Sequence, residues 1–194
     1  MNSKQNILNK IRQNLSPAAP MPDLADISPV QYEDRQGKFM EMVEAVGGHA
    51  MLLGPDDDLN AVIRGLYPSA SVVASSLSYI DADKNPDTVD EASHLADVDV
   101  GVLEGDIAVA ENGCIWIPQT MKERAVMFIS QALVIIVDRE KIVNNMHEAY
   151  DMLGGHSYGC FISGPSKTAD IAQALVMGAQ AARDVTVIIN QTGE

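Results

Sequence analysis

A chain of 194 residues, 46% of them hydrophobic, is long enough for one domain with its own core and too apolar to be disordered. No run approaches the roughly 20 apolar residues of a membrane-spanning helix, and the N-terminus has no secretory signal, so we expect a cytoplasmic protein. The formal charge of −14 disfavours nucleic acid and anionic membranes as partners.

The cysteines and histidines do not form a pattern typical of a metal site. Cys114 and Cys160 are too few for the four ligands of an iron–sulfur cluster, and each lies in an apolar context typical of a buried structural thiol. We therefore expect no metal and no cofactor on this chain. The histidines fall on separate predicted elements and are expected to be isolated; they are His49, His94, His147 and His156.

The first predicted element is an amphipathic helix over residues 3–15, with Ile7, Leu8, Ile11 and Leu15 on one face. A proline-rich segment to residue 22 cannot continue the helix. Residues 1–22 are thus interpreted as an arm and 23–194 as the domain. The arm is expected to dock on its own domain or on a second subunit in a homo-oligomer, a transit peptide being the less favoured alternative.

From about Asp34 onward, helical and strand patterns alternate. One helix is predicted to end at 47–48, and the next to open at residues 54–58, where Pro55 suits the first turn and the three aspartates suit a helix start better than a metal site. Two further helices are predicted over 142–153 and 168–182. Strands are predicted at 49–53, 71–74, 132–137, 159–162 and 185–189, with shorter strands between 100 and 117. This order predicts an α/β fold with a mostly parallel sheet flanked by helices.

One turn suited to an anion follows the predicted strand 159–162. Ser163-Gly164-Pro165-Ser166-Lys167-Thr168 combines hydroxyls, a flexible glycine and a cation at the expected start of a helix. Such a turn can bind a carboxylate or phosphate. Thr168 and Asp170 can equally serve only to cap that helix. The spacing of Gly159 and Gly164 does not make a Walker A loop, because Pro165 and Ser166 stand where lysine and a hydroxyl residue should follow.

A second turn, Glu111-Asn112-Gly113, follows a short apolar strand. Its carboxylate could act as a nucleophile or base with Asn112 as a hydrogen-bond donor, or it could be a surface group beside a hairpin turn. We expect the two turns to meet at one edge of the sheet and to form a pocket for a negatively charged ligand.

Both turns resemble signatures of the LUD-domain family. Asp106 to Gly113 is similar to its "AD-x-A-I-A-E-T-G-T" segment, and Ile162 to Ile171 is very close to its "ISGPSRTADIE". The resemblance implies a fold like that of the NagB/RpiA/CoA-transferase group. It also implies an accessory role, without a redox centre, in a system that oxidises L-lactate to pyruvate, alongside partner proteins that carry iron–sulfur clusters.

The chain departs from the family pattern at two histidines. The usual Gly-Val-His-Gly-Pro corresponds to residues 178–182, where Gln180 replaces the histidine, and the usual Pro-Pro-x-His corresponds to 129–132. Two alternatives therefore stay open. Glu111-Asn112-Gly113 is also similar to a CoA-transferase segment whose glutamate attacks an acyl-CoA, which suggests a transferase or thioesterase. The arm and the acidic stretch 81–111 could instead make the chain a pure protein-interaction subunit.

Overall fold

The computed structural model describes residues 3–15, 20, 27–155, 158–168, 175–179 and 181–191. The helices of this part are α1 (Ser3–Gln13), α2 (Arg35–Ala45), α3 (Leu59–Leu66), α4 (Val126–Ile129) and α5 (Met146–Leu153). The longer strands are β1 (His49–Leu53), β3 (Val100–Gly105), β5 (Cys114–Pro118), β6 (Ala132–Asp138), β8 (Gly159–Ile162) and β11 (Asp184–Asn190). The shorter strands are β2 (Val73–Ala74), β4 (Ile107–Val109), β7 (Ile142–Val143), β9 (Lys167–Thr168) and β10 (Val176–Met177).

The central sheet has five strands in the order β1-β11-β6-β3-β2, and every neighbouring pair is parallel. A smaller sheet of four strands, β7-β4-β5-β8, lies beside it, with antiparallel pairing of β5 to both β4 and β8. The predicted α/β fold with a mostly parallel sheet flanked by helices is confirmed. No helix in the described ranges is both long and apolar enough to cross a bilayer.

The core lies on both faces of the central sheet because successive side chains of a strand point to opposite faces. In β6, Ile135 packs in the cluster that includes Phe39 of α2, whereas Val134 packs in the cluster that includes Ile63 of α3. The continuous apolar run predicted at 132–137 is therefore a strand buried on both faces.

The helix starts follow the capping pattern of the sequence. The Asp34 carboxylate accepts a 2.8 Å hydrogen bond from the Gly37 N–H at the start of α2. The last of the three consecutive aspartates, Asp58, accepts hydrogen bonds from the Asn60 and Ala61 N–H groups at the start of α3. Helix capping thus accounts for Asp58, as predicted. However, α3 begins only at Leu59, so Pro55 precedes the helix and does not lie in its first turn.

Two predicted helices differ in the structure. Residues 142–143 form strand β7, so the helix predicted from 142 begins only at Met146. The helix predicted over 168–182 is wrong in the described part, where Thr168 lies in β9 and residues 176–177 form β10. Backbone hydrogen bonds from the Ser166 N–H to Ala182 O (2.9 Å) and from the Gly178 N–H to Ser166 O (2.8 Å) fold this segment back on itself. Residues 169–174 and 180 lie outside the described part.

Helix α1 forms as the sequence predicts, and none of its residues is buried. The proline-rich linker, residues 16–19 and 21–22, lies outside the described residues apart from Pro20. The division into an arm (1–22) and a domain (23–194) stays a prediction.

Candidate functional site

The two turns singled out in the sequence lie side by side on the C-terminal half of α2. A Cβ atom added at Gly113 would lie 2.8 Å from the carbonyl carbon of Met42, and one at Gly164 would lie 2.6 Å from the carbonyl oxygen of Val46. The Ser163 hydroxyl donates a 3.2 Å hydrogen bond to the Asn112 carbonyl oxygen and so joins the turns directly. Both glycines have positive φ angles, +66° and +62°, which few other residues adopt.

In the first turn, Asn112 shapes the backbone. Its side-chain oxygen accepts a 3.1 Å hydrogen bond from the Cys114 N–H, the pattern of an Asx turn. The Glu111 N–H donates to the Asn144 carbonyl oxygen at 3.0 Å, and the residue is half-buried. Glu111 lines neither of the two cavities described below. A nucleophilic role for Glu111 therefore stays a prediction.

The second turn borders a cavity of about 370 Å³, the turn cavity. Its polar edge is the segment Ser163–Lys167, while α4, β6, β8 and β11 supply a mostly apolar wall. The wall consists of Met127, Phe128, Leu133, Cys160, Phe161, Ile162, Ala181, Ala182 and Val185. The arrangement can accept a small ligand with one charged or polar end and an apolar body.

The ammonium group of Lys167, the positive charge of the turn, makes a hydrogen bond within the fold. It donates this bond to the carbonyl oxygen of Val46, the residue that caps the C-terminus of α2. A lysine at this position stabilises the negative end of the helix dipole. Because Thr168 belongs to β9, the helix N-terminus expected to bind an anion is not formed at that residue. The Thr168 hydroxyl oxygen is buried and has no hydrogen-bond partner. Asp170 lies outside the described residues.

Neither thiol has the character of a nucleophile. Burial raises the pKa of Cys114 to about 11, although a hydrogen bond with Asn112 lowers it in part. Burial also raises the pKa of Cys160. Both groups are protonated at neutral pH, as expected for structural cysteines.

A further cavity, of about 310 Å³, lies at the carboxyl ends of β3 and β6, and we call it the edge cavity. Ligands of open α/β sheets collect at this edge. Three carboxylates (Glu104, Asp106, Asp138) and one ammonium, that of Lys141, border it, and Lys141 Nζ lies 3.6 Å from Asp106 Oδ1. The remaining lining residues are Ser76, Leu77, Leu103, Gly105, Pro118, Thr120 and Met121. The excess of carboxylates suits hydroxyl or cationic groups better than a carboxylate ligand.

Sequence reasoning missed the edge cavity because its residues come from four separate stretches of the chain. The available signal was the position of Glu104 and Asp138, each at the end of a buried strand. Among the described residues, no group of three or more histidines, cysteines and acids is placed to hold a metal ion. His156 falls outside them.

The pKa of Tyr79 is sensitive to the negative charge at the edge cavity. Burial, followed by the negative charges of Glu104 and Asp138, raises its pKa to about 12. Because the folded chain retains this proton to higher pH than the unfolded chain, the stability linked to Tyr79 is complete below about pH 10 and is lost as the pH rises towards about 12. A phenolate absorbance titration of wild type minus Tyr79→Phe should show this high pKa.

In the same titration, Glu104→Gln should lower the pKa of Tyr79, because one repelling charge is removed. Glu41→Gln on α2, an exposed acid that is not among the causes of the shift, should leave that pKa unchanged. An equal response to both changes would show that Glu104 does not face the phenol.

The chain matches the model of the LUD domain over residues 37–190, which include both turns. It is similar to lactate utilization protein C of Geobacillus kaustophilus, with 28% identity over 157 residues, or 73% of this chain and 62% of that protein. It is also similar to lactate utilization protein C of Oceanobacillus iheyensis, with 29% identity over 100 residues, 47% of this chain and 43% of that one. The chain thus spans less than two thirds of the length of either relative.

A crystal structure of a DUF162 family protein from Deinococcus radiodurans has the same fold. Its TM-score is 0.65 at 14% identity, and the match covers 84% of this chain and 99% of that one. At this identity the likeness concerns the fold alone. The family-model match extends over most of the chain, both turns included, and the chain therefore belongs to the LUD domain family.

Proposed function

We propose that this protein is a component of a lactate-utilization system, has no redox centre of its own, and binds a small carboxylate in the turn cavity. Family membership and the similarity to two proteins named lactate utilization protein C support the first part. With only two cysteines in 194 residues, the chain lacks the ligands of an iron–sulfur cluster. Electron transfer is therefore assigned to iron–sulfur partner proteins of the same system.

The observation that supports carboxylate binding is the composition of the turn cavity. One side of the mostly apolar cavity is lined by Ser163, Ser166 and Lys167, whose side chains carry two hydroxyls and one ammonium. The ammonium donates one hydrogen bond to Val46 and has two further N–H donors. A small hydroxy or keto acid has the same division, with a charged group at one end and a short apolar body at the other. In contrast, the edge cavity presents three carboxylates, which would repel such an acid.

Ser166→Ala should weaken the binding of L-lactate or pyruvate by about tenfold or more, the loss expected for one hydrogen bond to a charged ligand. Ser166 lines the turn cavity and is half-buried, and its backbone hydrogen bonds to Ala182 and Gly178 are retained in the variant. Isothermal titration calorimetry of the full chain with each acid measures the effect.

Ser76→Ala is the matched control, because Ser76 lines the edge cavity. It should leave the affinity for both acids unchanged. Equal losses in the two variants, or no binding of either acid to the wild type, would contradict the carboxylate site. Oxidation of lactate by the purified chain alone would contradict the absence of a redox centre.

A further inference from the structure

The N-terminal helix α1 exposes its apolar face to solvent. Ile7 and Ile11 of α1 are 58% and 53% exposed, Leu15 just after the helix is 68% exposed, and no residue of α1 is buried. A helix of 11 residues is marginally stable in water unless its apolar face packs against another surface. The spacing of Ile7 and Ile11, one helical turn apart, suits insertion into a groove.

An exposed aromatic groove lies on the smaller sheet. It is bordered by Trp116 of β5, Tyr150 and Leu153 of α5, Gly155, and Phe161 of β8, and encloses about 400 Å³. The rings of Trp116 and Phe161 have centroids 4.9 Å apart, and those of Tyr150 and Phe161 are 5.9 Å apart. The Tyr150 side chain is nevertheless 62% exposed. The groove is therefore an ordered apolar surface open to solvent.

The chain at residues 30 and 31 is held against α5, the helix that forms one wall of this groove. Asn145, at the start of α5, donates a 2.9 Å hydrogen bond to the Val30 carbonyl oxygen. The Gln31 side chain donates to Glu148 of α5 at 2.7 Å. The 11 residues between Leu15 and Ile27 can span up to about 40 Å. A connection of this length permits α1 to be exchanged between two copies.

The arm is basic, whereas the rest of the chain is acidic. Residues 3–15 contain three of the 13 lysines and arginines and none of the 27 acids. The domain is therefore more acidic than the chain as a whole, and α5 presents an exposed acid, Asp151, between Tyr150 and Leu153. Two domains repel each other, whereas a basic arm is attracted to an acidic domain.

We propose that α1 of one molecule docks in the aromatic groove of a second copy, and that the exchange is reciprocal. A two-fold arrangement of this kind covers both apolar surfaces of each chain with a single type of contact. A second copy is the occupant because its acidic domain presents the same groove to the basic arm, so that charge complementarity favours the contact. The basic charge of the arm offsets the repulsion between two acidic domains.

Sedimentation velocity of the full chain from about 1 to 100 µM should show a reversible dimer. Ile7→Glu should weaken the dimer by about tenfold or more, since a buried isoleucine contributes at least that factor. Gln13→Glu adds the same charge on the opposite face of α1 and should have little effect. In the groove, Tyr150→Glu should weaken the dimer, whereas His147→Glu on the exposed side of α5 should not.

Trp116, the only tryptophan of the chain, gives a second measurement in the groove. Its emission should shift to shorter wavelength as dimers form, and Ile7→Glu should abolish the shift, with no loss of circular dichroism signal beyond that of α1 itself. A monomer throughout the concentration range, or a dimer that responds equally to the groove variant and its control, overturns the proposal.

Cross-linking distinguishes a second copy from the same chain. Molecules carrying Ile7→Cys are mixed with molecules carrying Tyr150→Cys, both in a Cys160→Ser background, and treated with a short bis-maleimide. A linked heterodimer supports exchange. A chain that carries both substitutions is treated in the same way. If linkage occurs only within this chain, the groove binds the arm of its own molecule, and the exchange is overturned. Binding of α1 to phosphatidylserine vesicles in place of dimer formation overturns it as well.

Discussion

Phe39→Ala should lower the free energy of unfolding by about 3–5 kcal/mol, the usual cost of removing a fully buried aromatic ring. Phe39 has no exposed surface and packs from α2 into the cluster that contains Ile135 of the central sheet. Because α2 also supports the turns at Gly113 and Gly164, the loss should be accompanied by weaker lactate or pyruvate binding. Urea unfolding followed by circular dichroism measures the stability.

Phe128→Ala is the matched control, since the same atoms are removed from a side chain that is 47% exposed. Its cost should stay below about 1 kcal/mol. Similar losses in the two variants would mean that α2 does not rest on the sheet through Phe39.

The architecture could be predicted because the way in which a helix or strand is buried determines the spacing of its hydrophobic residues. The run at β6 has no polar residue before Asp138, and this is possible only for a strand covered on both faces. The N-terminal helix has its apolar residues at helical spacing, and Asp58 precedes a helix as a capping residue should. These signals are local, so one sequence suffices to interpret them.

The segment after Lys167 could not be predicted in this way. Residues 168–182 are rich in alanine and favour a helix by composition, yet Thr168 and the pair 176–177 are in strands. Contacts of Ser166 with Gly178 and Ala182 determine the backbone there, and tertiary contacts of this kind override helix propensity.

The sequence could predict that the two turns lie side by side, but not that they pack on the C-terminal part of α2. Each turn adjoins a strand of one antiparallel pair, in which Ile115 is opposite Ile162. Strand pairing therefore brings them together. The bond from Lys167 to Val46 joins residues 121 positions apart, and nothing in the local sequence of either indicates it. For the same reason the helix-capping contact of Lys167 could not be predicted from the sequence, and its role as an anion ligand stays a prediction.

Gly113→Ala should cost about 2–5 kcal/mol of stability, because two penalties add. The φ angle of +66° is unfavourable for alanine by about 1–2 kcal/mol. The new Cβ would also lie 2.8 Å from Met42 and 2.9 Å from Val43, in both cases at backbone atoms that cannot rotate away, and such overpacking adds about 1–3 kcal/mol. Urea unfolding measures the sum.

Substitutions at two other glycines measure the conformational and the packing penalties separately. Gly155→Ala has a positive φ of +100° but no atom within 4 Å of the new Cβ, so it should carry the conformational cost alone. Gly65→Ala lies in α3 with open space around it and should stabilise the chain by up to about 1 kcal/mol. The expected order of stability is thus Gly65→Ala, then Gly155→Ala, then Gly113→Ala. If Gly113→Ala lowers the free energy of unfolding no more than Gly155→Ala does, the turn at Glu111–Gly113 is not in tight contact with α2. In that case α2 does not support both turns.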